Sequence, residues 1–247
     1  MKIALVTGGS RGIGRATSML LARQGYCVAV NYHQNREAAE EVVKLIHQQR
    51  GQAFILQADI ADEDQVLAMF RQIDSLPGTL SGLVNNAGIL FQQSAVEQLT
   101  AERINRVFAT NVTGPFLCCR EAVKRMGHHH GGQGGAIVNV SSAAARIGAP
   151  GEYVDYAASK GAMDTLTRGL SLEVAALGIR VNGVRPGFIY TGIHADGGEP
   201  GRVDRVAPAI PMQRGGQPEE IAQAISWLLS EAASYVTGTF IDAAGGR

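Results

Sequence analysis

Tyr156 and Lys160, in the run Tyr156-Ala-Ala-Ser-Lys160, have the types and the spacing to move a proton. Residues four apart on a helix share a face, so the lysine ammonium can sit near the tyrosine hydroxyl. A free tyrosine has a pKa of about 10, and a neighbouring cation stabilises the phenolate and draws that value toward neutrality. Tyr156 is therefore expected to act as an acid/base. Tyr153 competes for the role, but four residues on it meets Ala157, which suits a pocket-wall or packing residue.

A second stretch, Thr7-Gly8-Gly9-Ser10-Arg11-Gly12-Ile13-Gly14, follows the first short apolar run. Glycines let the backbone turn sharply and approach a pyrophosphate, whose charge is favoured at a helix N-terminus. A dinucleotide is the expected ligand. A carboxylate at the end of the second strand would hydrogen-bond the ribose 2'-hydroxyl of NAD and repel the 2'-phosphate of NADP. Here the chain reads Val30-Asn31-Tyr32-His33, with no carboxylate before Glu37, while Arg11, Asn31, His33 or Arg36 could contact a phosphate. NADP (NADPH) is expected in preference to NAD.

The elements that position these groups alternate. Ile3 to Thr7, Val28 to Asn31, Ala53 to Gln57, Gly82 to Asn85, Ala136 to Val140 and Ile179 to Val184 are continuous apolar runs, the pattern of strands buried on both faces, and a last strand is expected over Thr239 to Asp242. Helical spacing covers a segment beginning near Ile13, then Arg36 to Gln49, Asp62 to Ile73, Ala101 to Met126, Asp155 to Leu177 and Pro218 to Leu229. Such alternation predicts an α/β doubly wound Rossmann domain over 1–247, with a mainly parallel seven-stranded sheet and helices on both faces. Ligands in this architecture bind beyond the carboxyl ends of the strands. The Gly- and Pro-rich stretch 187–216 starts at such an end and is long for a connection, as expected of a lid.

Composition removes other classes. Lys plus Arg number 22 and so do Asp plus Glu, so no net field favours nucleic acid or an anionic membrane. The apolar run at the N-terminus is too short for a signal core or a span, and a cytoplasmic location is expected. Cys27, Cys118 and Cys119 lack paired spacing and suit buried apolar positions. The adjacent His128, His129 and His130 lack the separated spacing of a metal site.

Gly8, Gly12 and Gly14 in the spacing G-x-x-x-G-x-G, Asn85-Asn86-Ala87-Gly88 after the fourth strand and Tyr156-Ala-Ala-Ser-Lys160 together resemble the short-chain dehydrogenase/reductase family. The likeness spans essentially the whole chain and is close to members labelled glucose 1-dehydrogenase-like or 3-oxoacyl-reductase-like. It implies that Tyr156 gives or takes the proton, Lys160 supports it and holds a ribose, Ser142 binds the substrate carbonyl and Asn111 supports a proton-relay water. Ser141 competes with Ser142, and strand alternation gives the two opposite faces; the place of Ser142 in Asn-Val-Ser-Ser favours it. The resemblance further implies that Asp59 and Ile60 neighbour the adenine, that Asn86, Ala87 and Gly88 face a ribose, and that Pro186, Gly187, Ile189 and Thr191 face the nicotinamide. Asp59 can also be read as the N-cap of the following helix.

A homotetramer acting on a small carbonyl or alcohol is implied as well, with sugar, acyl thioester, ketone and aldehyde substrates all open. Two alternatives share the fold: an NAD-dependent sugar or alcohol dehydrogenase and a non-catalytic NADP-sensing protein.

Overall fold

The computed structural model describes residues 1–247. Seven strands, β1 (Lys2–Val6), β2 (Cys27–Tyr32), β3 (Gln52–Gln57), β4 (Thr79–Asn85), β5 (Gly135–Val140), β6 (Ile179–Pro186) and β7 (Phe240–Ala243), form one sheet in the order β3-β2-β1-β4-β5-β6-β7. Every pairing is parallel. Successive strand side chains point to opposite faces. Ile3 and Leu5 therefore pack on one side with Val66, Phe70 and Met126, while Ala4 and Val6 pack on the other with Leu21, Val42 and Ile225. The first side is covered by α3 (Glu63–Asp74), α5 (Gly114–Met126) and α7 (Val154–Val174), the second by α1 (Gly12–Arg23), α2 (Arg36–Gln48) and α10 (Pro218–Leu229).

Cys27, Cys118 and Cys119 are buried and unpaired. Burial pushes the Cys119 thiol up to about 12, which keeps it in the unreactive thiol form. His128–His130 form a short exposed turn. No helix is long and apolar enough to cross a membrane.

Two expectations are corrected. The stretch from Ala101 to Met126 is α4 (Ala101–Phe108), a π turn (Ala109–Thr113) and α5, rather than one helix. Pro115 explains the break: it has no N–H to give the Asn111 carbonyl four residues back, so the regular ladder fails there. The N-cap of α3 is Asp62, whose Oδ1 accepts from Gln65 N at 3.1 Å, and Asp59 lies a turn earlier.

The helix starts also differ in a way that bears on function. Asn35, Asp62 and Thr100 cap α2, α3 and α4 with their side chains, and Gln217 with Glu220 closes a capping box on α10. The N-cap of α1 is Arg11, whose side chain makes no capping bond. The first N–H groups of α1 are left for something else.

A single turn, α6 (Ala144–Ile147), follows β5, and the stretch after β6 carries α8 (Ile193–Asp196) and α9 (Arg202–Val206). Its two ends are joined: Tyr190 N donates to Gly216 O at 3.0 Å and Gly216 N to Phe188 O at 2.9 Å. The excursion between them is closed at its base and is tied to the body as well, Tyr153 Oη donating to Gly197 O at 3.1 Å.

Candidate active site

The chain leaves β1 toward β2 on one side and returns through β4 on the other, so a crevice opens at the carboxyl ends of β1 and β4. The glycine turn after β1 and the Asn86-Ala87-Gly88 run after β4 meet there. Thr7 Oγ1 accepts from Asn86 N and Ala87 N at 3.0 Å each, and Asn86 Nδ2 donates to Thr7 O at 2.9 Å and Gly8 O at 3.1 Å. Gly8 has a φ of +59°, which a side chain would strain. A Cβ on Gly14 would lie 2.2 Å from Gly8 O, so glycine lets α1 close onto its own turn. The result is a rigid cradle under the uncapped start of α1, a fit for a pyrophosphate.

At the far end of the cradle, Asn31 is corrected from a phosphate donor to part of the frame. It is 2% exposed, its Oδ1 accepts from Gly8 N at 3.1 Å, and its Nδ2 faces the carbonyls of Leu56 and Ala58 at 3.2 and 3.1 Å. Both ends of the amide are thus engaged. Arg36 turns onto Glu40 at 2.7 Å on its own helix, and Arg11 reaches Asp196 of α8 at 2.9 Å. His33 faces the cavity with its Nε2 3.7 Å from Asp59 Oδ2, which also takes Arg106 Nη2 at 3.3 Å. Arg106 is a cation that strand-end reasoning missed, because α4 delivers it from elsewhere in the chain.

Tyr156 is the third residue of α7 and lines the cavity together with Ser142, whose hydroxyl favours the phenolate. Ser141 faces away: its Oγ donates to Lys160 O at 3.2 Å, so the two serines divide as strand alternation requires. Lys160 is 4% exposed, donates from Nζ to Val140 O at 2.8 Å and sits 5.5 Å from the centre of the Tyr156 ring.

The expected downward pull of Lys160 on Tyr156 is corrected here. Burial raises the phenol to about 12, against opposing pulls from the Ser142 hydroxyl and the Arg202 guanidinium. Burial likewise lowers Lys160 to about 8, with the Asp164 carboxylate holding it up. Desolvation outweighs the pair interaction because both groups sit in a low-dielectric wall and the ammonium is turned to a carbonyl.

Asn111 stands behind this group, 1% exposed in the π turn. Its Oδ1 accepts from Ile89 N at 2.8 Å, while its Nδ2 donates to Ile89 O at 2.9 Å and to Ser159 Oγ at 3.1 Å. The start of α7 is fixed by Asp155, which accepts from Tyr156 N at 2.9 Å and pairs with Arg103 Nε at 2.8 Å. Asp155, Arg103 and Ser159 were not anticipated. The sequence signal for Asp155 was its first-turn position, where a carboxylate suits the helix dipole; its partner 52 residues away had none.

One cavity of about 970 Å³ joins the two ends. Gly8, Ser10, Arg11, Gly12, Ile13, Asn31, His33, Asp59, Ile60, Asn86, Ala87, Gly88, Ser142, Tyr156, Lys160, Pro186, Gly187, Ile189 and Thr191 all line it. Gly14 and Asn111 do not, and act from behind its wall. Glu152, His194, Arg202 and Arg205 line the part beyond Tyr156, a charged group that sequence reasoning left unassigned.

A family model described as enoyl-(acyl carrier protein) reductase matches residues 8–247. The chain is 74% identical over 247 residues to the uncharacterized oxidoreductase YgfF of Escherichia coli (strain K12), covering 100% of both chains. It is 39% identical over 245 residues to the 3-oxoacyl-(acyl-carrier-protein) reductase FabG of Staphylococcus aureus (strain Mu50), covering 99% of this chain and 97% of that one. It is 36% identical over 245 residues to glucose 1-dehydrogenase 2 of Bacillus subtilis (strain 168), covering 99% of this chain and 94% of that one.

Proposed function

The chain belongs to the short-chain dehydrogenase/reductase family of oxidoreductases, and on that premise we propose that it moves hydride between NADP(H) and a carbonyl/alcohol pair, with Tyr156 as acid/base. The observation that carries this reading is that Tyr156 and Ser142 line the same cavity as the uncapped glycine cradle. When bound there, the nicotinamide supplies the hydride for reduction or accepts it in oxidation.

Gly8, Ser10, Arg11, Gly12, Ile13 and Gly14 form the cradle for the pyrophosphate, and Asn86, Ala87 and Gly88 the ribose wall. Asp59 and Ile60 lie toward the adenine, while Pro186, Gly187, Ile189 and Thr191 form the nicotinamide side. His33 and Arg106 supply donor groups near the 2' position, where β2 offers no carboxylate, which favours NADP over NAD, while Arg11 is held by Asp196. Tyr156 protonates the developing alkoxide, Ser142 donates a hydrogen bond to it, and the buried Lys160 ammonium supports the phenolate that remains. With the Asn111 side chain engaged at both ends, any water it supports falls to its backbone carbonyl, which Pro115 leaves without its usual donor. Ile104, Phe116 and Leu172 are exposed apolar side chains on α4, α5 and α7, and support assembly into a homotetramer.

The test is a spectrophotometric screen of NADPH with ketones, aldehydes and thioesters, and of NADP with sugars and alcohols. Turnover that disappears in Tyr156→Phe supports the reading. NADPH binding without turnover of any compound overturns it in favour of a nucleotide-sensing protein.

A further inference from the structure

Arg202, the first residue of α9, is a charge that the proposed reaction does not use. Its side chain is only 9% exposed and lines the cavity beyond Tyr156. The guanidinium carbon lies 4.6 Å from the centre of the Tyr153 ring and 5.3 Å from that of Phe188, so two aromatic faces hold it in place. Of its five N–H donors, one on Nη2 meets Glu152, and Nε is buried without any partner. A buried guanidinium with an unpartnered donor is costly unless an acceptor completes it.

The surroundings point to what that acceptor is. Arg205 lies 3.6 Å from Glu152 and also pairs with Glu199, so the one carboxylate that meets Arg202 is shared with a second arginine. The Arg247 guanidinium lies 5.3 Å from the centre of the same Phe188 ring and has no ion pair. His194 on α8 has Nε2 3.0 Å from Ile189 O and a buried Nδ1 without a partner. Burial holds its imidazole below the ordinary pKa, helped by the charge of Arg202.

We infer that the substrate is a carbonyl or hydroxy compound bearing a carboxylate, held by the Arg202 guanidinium while its reacting oxygen meets Tyr156 and Ser142. The inference rests on the oxidoreductase reading of the site and narrows its substrate to oxo acids and the corresponding hydroxy acids. A planar guanidinium edge matches a carboxylate with two parallel bonds, which neither a neutral sugar nor an ester can form.

Matched probes test it. In the NADPH-loaded protein, 4-oxopentanoate and 3-oxobutanoate are compared with their methyl esters, and NADP with glucose is run beside them. Wild-type kcat/KM is expected to favour each acid over its ester by roughly tenfold or more, the scale of a charge-assisted hydrogen bond. The acid-to-ester ratio is expected to fall toward unity in Arg202→Met. Because that change removes the nearer of the two cations beside Glu152, the double variant Arg202→Met/Glu152→Gln is measured too. Esters or glucose outpacing the acids, or an acid preference that survives in the double variant, would overturn the inference. Calorimetric titration of the NADPH-loaded protein with butanoate against butanamide reads the same site without turnover. Saturable binding of butanoate alone supports the carboxylate site even if no carbonyl is reduced, and equal or absent binding of the two sinks it. Failure to reduce any carbonyl bears separately on the oxidoreductase reading.

Discussion

The side-chain amide of Asn111 donates to the hydroxyl of Ser159 at 3.1 Å, tying the π turn to the helix that carries Tyr156. Ser159 passes the link on, donating to Tyr156 O at 2.6 Å, while the other contacts of Asn111 bracket the backbone of Ile89. Three separate segments are thereby held at fixed distances by one buried amide.

Replacing Asn111 with leucine leaves the Ile89 N–H and C=O and the Ser159 hydroxyl without that partner. Each stranded polar group costs about 1–3 kcal/mol, so thermal unfolding should show a clear drop in Tm. Ser159→Ala removes one bond and should cost only about 1 kcal/mol. Turnover should fall much further in Asn111→Leu than in Ser159→Ala, with NADPH affinity nearly kept in both; equal losses would deny Asn111 its central position.

Arg103 and Asp155 make the second clamp on α7. The Asp155 carboxylate is 2% exposed and Arg103 is its only cation, so Arg103→Leu strands a buried charge at a cost of about 3–5 kcal/mol. Arg103→Leu/Asp155→Asn should recover much of this, because the isolated charge is gone. Urea unfolding of the two variants measures the difference, and equal midpoints would contradict it.

The fold was legible where burial is two-sided. β1, β2, β5 and β6 are continuous apolar runs because each is covered by helices on both faces. The glycine turn was legible because Gly14 and Gly8 approach too closely for a side chain. The π turn was hidden by apolar spacing that continues through it, although Gly114-Pro115 inside a helical stretch was a visible breaker. Asn31 looked available because it ends a strand, and only the fold brings the carbonyls of Leu56 and Ala58 against its amide. Arg106, Arg202 and Glu152 had no local signature, since their partners are remote in sequence. The direction of the Tyr156 shift depended on burial, which a four-residue spacing does not encode.

Cofactor choice can be tested at the end of β2. His33→Asp places a carboxylate on an exposed, cavity-lining position, where it repels a 2'-phosphate and can accept from a ribose hydroxyl. The ratio of NADPH to NADH affinity should drop by roughly tenfold or more, about one charged hydrogen bond. Asn31→Asp should behave differently, destabilising the protein because an acceptor then faces the Leu56 and Ala58 carbonyls. Fluorescence titration with both nucleotides distinguishes a change of specificity from a loss of fold.

The pH dependence follows from the opposite shifts of Tyr156 and Lys160. Lys160 is lowered to about 8 from 10.5, so between those values the unfolded chain binds the extra proton and the unfolding free energy rises with pH, by roughly 3 kcal/mol at most. Tyr156 is raised to about 12 from 10, so above pH 10 the unfolded chain loses its proton first and stability falls again. Chemical unfolding from pH 7 to 11 should show the rise, and Lys160→Met should flatten it. In turnover, Tyr156 stays protonated well past neutrality, so kcat/KM for reduction should hold without a phenol-dependent loss to at least pH 8, whereas oxidation needs the phenolate and should climb with pH. A reduction rate that falls with an apparent pKa near 7 and persists in Lys160→Met would show that another group, and not Tyr156, supplies the proton.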